Sequence, residues 1–219
     1  MRENACVGCL TASASHELQN AFAVIRESAG LMQDLIALGG ENIPRRERVV
    51  ELLSLIQQQV ARGGELAGGL NTLGHAWEED DGDLARILEE FVILAGRMGR
   101  MRSVTVGLAP GESGLRAPSA GLALRVLLFD LLQTCLEEAP GCALTFAPAR
   151  RDGIPGIHLR VGLARCDATT DVLRRLDAQL ARLGARKEPD NGHGTPARDE
   201  PDGVLYYFTA CPSATGHRA

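Results

Sequence analysis

His16, Glu17 and Asn20 are the residues with the clearest chemical potential in this chain. They belong to the run Ser15-His16-Glu17-Leu18-Gln19-Asn20, and on a helix Asn20 lies one turn beyond His16 on the same face. A neutral imidazole facing solvent is a competent nucleophile toward phosphorus. An adjacent carboxylate can hold the ring or accept its proton. An amide one turn away can orient a water or an incoming carboxyl-phosphate. This ordered group predicts His16 as a phosphorylation site, a reading preferred here over an exposed helix carrying mixed polar residues.

The other reactive side chains make a weaker case. Cys6-Val-Gly-Cys9 is expected just before the first helix, where a helix N-terminus lowers thiol pKa and could suit redox chemistry or metal binding. In a parallel dimer two such pairs would form a four-thiolate site. The chain has no second CxxC, and a frayed tail with two incidental thiols is the preferred reading. The six cysteines are scattered through a chain too long to need a disulfide framework and are expected to be mostly reduced. His75, His158, His193 and His217 have no carboxylate or cysteine at persuasive ligand spacing, and His158 reads as structural within a strand. The acids at 78–83 lack the alternating ligands of a calcium loop and read as a solvated linker and helix cap.

The elements that position His16 follow from periodicity. From about residue 10 to 38, Leu18, Phe22, Ile25, Ala29, Met32 and Ile36 recur at alternating steps of four and three, a heptad seam. Val24, Leu31, Leu35 and Leu38 widen the stripe beyond what one partner helix can bury, which predicts a bundle. Gly39-Gly40 stops this helix, and Pro44 starts a second over about 45–73, with Val49, Leu53, Ile56, Val60, Ala67 and Leu70 in the same pattern. The short connection predicts an antiparallel hairpin, and a second copy of the chain would complete a four-helix bundle. Folding the second helix back places about residue 68 opposite His16, in a stretch holding Gly63, Gly64, Gly68 and Gly69. These glycines suit either a shallow, flexible surface where a partner could reach His16 or local fraying toward the linker, and neither reading is preferred.

Residues 77–83 form a charged linker. Beyond it the pattern changes: a helix at 84–98, a strand at 103–108, a buried helix at 122–138, strands at 142–147 and 157–163 around an Arg-Asp-Gly turn, a helix at 170–183, a loop at 188–202 and a strand at 204–210. This second half reads as one mixed sheet carrying two or three helices on a face, so the whole is α+β. Aromatics are 4% of the chain, so the cores must be built from Leu, Val, Ile and Ala. The net charge of −5 argues against a nucleic-acid binder. No apolar run reaches the roughly 18–20 residues of a membrane span, and the N-terminus lacks a signal-peptide core. A cytoplasmic location is expected.

The run Ser15-His16-Glu17-Leu18-Gln19-Asn20-Ala21-Phe22 resembles the H-box of bacterial sensor histidine kinases, which usually reads Ser-His-Glu-Leu/Ile-Arg-Asn/Thr-Pro-Leu. The resemblance implies His16 as phosphoacceptor, Glu17 as its acid/base neighbour and Asn20 as the residue used in dephosphorylating a response regulator. Gln19 stands for Arg and Ala21 for Pro, which removes the usual kink. The likeness extends in order, not in close identity, over most of the chain. Residues 1–76 resemble the helical hairpin that dimerises and carries the phosphohistidine. Residues 84–211 resemble the α/β-sandwich ATP-binding domain that follows it, and 212–219 read as a disordered tail.

The nucleotide motifs of that family are eroded. The helix at 122–138 resembles Asn-Leu-Leu-x-Asn-Ala, but Asp130 and Thr134 replace the two asparagines, and Thr134 offers a poorer magnesium ligand. Asp167 is present, yet no glycine opens its turn, and Gly192-His193-Gly194 comes too late for a lid. The expectation is a phosphotransferase that relays phosphate between response-regulator aspartates through His16, without ATP-dependent autophosphorylation. A divergent active histidine kinase and a non-catalytic dimeric adaptor are the alternatives. The expected partners are response-regulator receiver domains and a second copy of the chain. No cofactor is expected: ATP is not needed, and any magnesium comes with the receiver.

Overall fold

The computed structural model describes residues 2–39, 46–75, 82–117, 121–162, 170–184, 186–188 and 203–209. Two long helices come first, α1 (Arg2–Gly39) and α2 (Arg46–His75), packed as a hairpin. The α/β half follows as β1 (Gly82–Asp83), α3 (Leu84–Met101), β2 (Thr105–Leu108), β3 (Arg116–Ala117), α4 (Gly121–Glu138), β4 (Ala143–Arg151), β5 (Ile154–Gly162), α5 (Thr170–Arg182), β6 (Arg186–Glu188) and β7 (Gly203–Thr209). The expected linker at 77–83 and loop at 188–202 lie mostly outside the described residues, although Glu188 belongs to β6 and not to a loop; the tail at 212–219, Asp167 and Gly192-His193-Gly194 lie wholly outside them.

The main sheet runs β2-β4-β5-β7-β6, with β2 parallel to β4 and the other neighbours antiparallel. Its register follows from alternation. Leu144, Phe146 and Pro148 point inward on β4 and meet Val161, Leu159 and Ile157 across the ladder. Leu159 and Ile157 in turn face Tyr206 and Phe208 on β7. The tight β4–β5 hairpin turns on Asp152 and Gly153, both at positive φ (52° and 79°), as a two-residue loop matching strand twist requires. The inward rows pack under α3, where Phe91 meets Phe146 edge to face at 5.9 Å.

Asp83 starts α3 by accepting from the amides of Ala85 and Arg86. Asp83, the last of the acidic run, is thus a helix cap. Across the α3–α4 contact, Arg125 is buried and donates to Glu90 at 2.9 Å, and Glu90 also accepts from Arg86.

The first helix begins at Arg2, two turns earlier than its apolar seam predicts. The added turns are held by the α/β half. Cys6, Leu10 and Ala14 are buried in the same hydrophobic cluster as Leu66 and Leu73 of α2, Leu88, Phe91 and Leu94 of α3, and Leu124 and Leu128 of α4. The hairpin and the layered half therefore share one core. Among the described residues, no helix is long and apolar enough to cross a membrane.

Removing one partner of the Arg125–Glu90 pair strands a buried charge. Glu90→Ala is expected to cost about 3 kcal/mol, whereas Glu90→Leu combined with Arg125→Met costs far less because no charge remains. Urea denaturation of the three proteins checks this.

Candidate functional site

A helix advances each residue by roughly 100° about its axis, so Asn20 returns to within about 40° of His16 while Glu17 points elsewhere. The structure follows this rule. His16 and Asn20 are both exposed, and the Asn20 Nδ2 lies 3.2 Å from the His16 Nδ1. With Nδ2 toward the ring, Nδ1 accepts and the proton sits on Nε2. With the amide turned over, Oδ1 accepts from Nδ1–H and the Nε2 lone pair is free. One residue can therefore hold either neutral tautomer of an imidazole open to solvent.

Glu17 faces inward. Its side chain is only 10% exposed, and both carboxylate oxygens are engaged: Oε2 accepts from Arg62 of α2, with Nε at 3.1 Å and Nη2 closer, and Oε1 accepts from Nη2 of Arg100 at the end of α3. The carboxylate thus joins three helices. Arg100 was legible only as a cation at a helix C-terminus, and Arg62 had no local signal at all, since both pairings are long-range.

The hairpin register differs from the expected one. Glu17 meets Arg62, and a Cβ on Gly63 would lie 3.7 Å from Leu18, so residues 62–63, not 68, stand across from the His16 turn. The difference is about one and a half helical turns. The four glycines also divide by environment. Gly64 and Gly68 face open space, whereas Gly69 is buried where α2 meets α3, and a Cβ there would come within 3.3 Å of the Leu94 side chain.

Cys6-Val-Gly-Cys9 lies inside α1, not before it. Cys9 is exposed, but Cys6 is buried, donates to the Arg125 carbonyl and has its thiol pushed up to about 12, chiefly by loss of solvation. A thiol so placed behaves as a small hydrophobe. No group of three metal-ligating side chains occurs among the described residues.

Two polar side chains of α4, Thr134 and Asp130, are committed to structural contacts. Thr134 is buried and donates its hydroxyl to the Asp130 carbonyl one turn back at 2.8 Å. The Asp130 carboxylate lies 3.6 Å from Arg2 at the start of α1; burial raises its pKa and Arg2 opposes the rise. His158 packs edge to face on Tyr207 at 5.7 Å, in keeping with a structural role. His75 bonds the Asn71 carbonyl within its own helix. Ser13 Oγ, one turn before His16, is buried and finds no hydrogen-bond partner among the described residues.

No protein-family model matches the chain, and no curated protein matches it. Solved structures do show a likeness of fold. The structure of a bacterial phosphotransferase aligns at 12% identity over 92% of this chain and 94% of that one, with a TM-score of 0.42. The catalytic domain of histidine kinase ThkA aligns at 13% identity over 58% of this chain and 92% of that one, with a TM-score of 0.37. Histidine kinase ThkA in complex with response regulator protein TrrA aligns at 12% identity over 96% of this chain and 64% of that one, with a TM-score of 0.36.

The two environments of the adjacent glycines give a direct check. Gly68→Ala is expected to stabilise the protein by about 0.8 kcal/mol, since only helix propensity changes. Gly69→Ala should gain little or lose stability, because Leu94 must move. Thermal denaturation of both variants distinguishes them.

Proposed function

We propose that this chain is a phosphotransfer protein of two-component signalling, in which His16 carries phosphate between the aspartates of two receiver domains. The observation that carries this reading is the exposed His16 imidazole backed by Asn20, on a segment that resembles the H-box. In the loading step the Nε2 lone pair attacks phosphorus of an aspartyl phosphate. The P–O bond to the acyl oxygen breaks, its electron pair leaves with the aspartate carboxylate, and the ring's remaining proton stays on Nδ1, where the Asn20 Oδ1 can accept it. Delivery to a second aspartate reverses these steps. Little covalent work is asked of the protein, so positioning dominates.

Two features support loading from a receiver over loading from ATP. Thr134 and Asp130 are held by a backbone carbonyl and by Arg2, respectively. The α/β half also shares its core with the hairpin, which opposes the swing a nucleotide domain would need to reach His16. Incubation with labelled phospho-receiver is expected to label the protein, labelled ATP is not, and His16→Gln abolishes the signal. Labelling from ATP would select the divergent kinase, and no label from either source across several receivers would select the adaptor.

The homodimer belongs to the same reading. Phe22, Ile36, Leu53 and Val60 stay exposed on the hairpin, while Ala21, Ser28, Leu52 and Leu66 fill the contact within it. A second hairpin covering the exposed stripe completes a four-helix bundle. Sedimentation is expected to show a dimer for the natural chain and a monomer for Phe22→Glu combined with Val60→Glu.

A further inference from the structure

Glu17 follows His16 in the chain but turns away from it around the helix. Its carboxylate is nearly enclosed and bound on one oxygen by Arg62 and on the other by Arg100. The ring nitrogen nearest a side chain in this turn meets Asn20 instead. Arg62 comes from α2 and Arg100 from the last turn of α3, so one carboxylate ties the hairpin to itself and to the α/β half directly behind the phosphoacceptor.

We infer that Arg62 and Arg100 are positioning residues for His16, gripping Glu17 as a clasp between the three helices, while Asn20 is the side chain that orients the ring. This deepens the phosphotransfer reading and rests on it. The arrangement has two consequences. The end of α3 is fixed beside the acceptor turn, so a receiver approaching His16 meets a surface built from both halves of the chain. Two guanidiniums around one carboxylate also leave an excess of positive charge behind His16. That field favours an incoming phosphoryl dianion and the carboxylate-rich pocket that presents it. Arg62 and Arg100 are partly exposed, so the clasp acts mainly through geometry and local field.

The test uses the full chain and the variants Glu17→Gln, Arg62→Gln, Arg100→Gln and Glu17→Gln/Arg100→Gln. Transfer from a phosphorylated receiver is followed across receiver concentrations and across neutral pH. Amide hydrogen exchange of residues 13–20 and 84–101 is followed without receiver. Each single variant is expected to raise KM about tenfold with kcat nearly unchanged, and the double variant to be no worse than the worse single one. The pH profile stays that of the natural chain, and exchange quickens in both segments. A Glu17→Gln variant that loses kcat at constant KM with an altered pH profile, beside an Arg100→Gln variant that behaves normally, would overturn the inference and make Glu17 the base. Losses that multiply in the double variant would overturn it as well. If the natural chain accepts no phosphate, the functional reading fails on its own. The exchange data still judge the clasp: quickened exchange upholds it and unchanged exchange rejects it.

Discussion

A single helix must pack against three others and still hold an imidazole out in solvent. α1 touches α2, α3 and α4, and every side chain in the His16 turn takes its direction from that demand. Cys6, Leu10 and Ala14 fix the buried side. With that face set, the helical rotation sends Glu17 toward Arg62 and Arg100 and leaves His16 and Asn20 outside. The chemistry of the turn is thus a consequence of packing: had Cys6 and Leu10 faced another way, the carboxylate and the imidazole would have changed places relative to solvent.

Periodicity made most of the fold legible. Apolar steps of four and three marked both hairpin helices, and alternation with the Arg151-Asp152-Gly153 turn marked the β4–β5 pair. The early start of α1 was hidden because its buried positions there are Cys6 and Leu10, separated by Val7, Gly8 and Cys9, a stretch that shows no helical seam by itself and reads as a tail. The contact that buries them is with α4, more than a hundred residues later. The register of the hairpin is offset by about one and a half turns because the contacts that set it, Glu17 with Arg62 and Leu18 beside Gly63, are long-range and leave no local signal. His16 and Asn20 were visible as a pair because they lie within one turn. The clasp was not, since it joins residues 17, 62 and 100 and no local rule relates them.

The α/β half shows polar side chains of one helix put to structural use. Thr134 bonds a carbonyl of its own helix, Asp130 faces Arg2, and Arg125 is buried against Glu90. Each polar group has found a partner inside the protein, which is what burial demands of it. Ser13 is the exception among the described residues, and an unpaired hydroxyl there weakens α1 slightly just ahead of the acceptor.

Because the core reaches only the first part of α1 and the last part of α2, the hairpin behaves as a cantilever. Residues near Leu10 and Leu73 are set into the body of the protein, while Ile36 and Val50 lie out along the beam with much of their surface uncovered. A beam fixed at one end deflects least near its support. His16 sits close to that support, so bending at the tip moves its imidazole little. Force applied at the tip, by a second chain or by any other load, is carried back to the place where α2 rests on α3, at Gly69 and the Leu94 side chain.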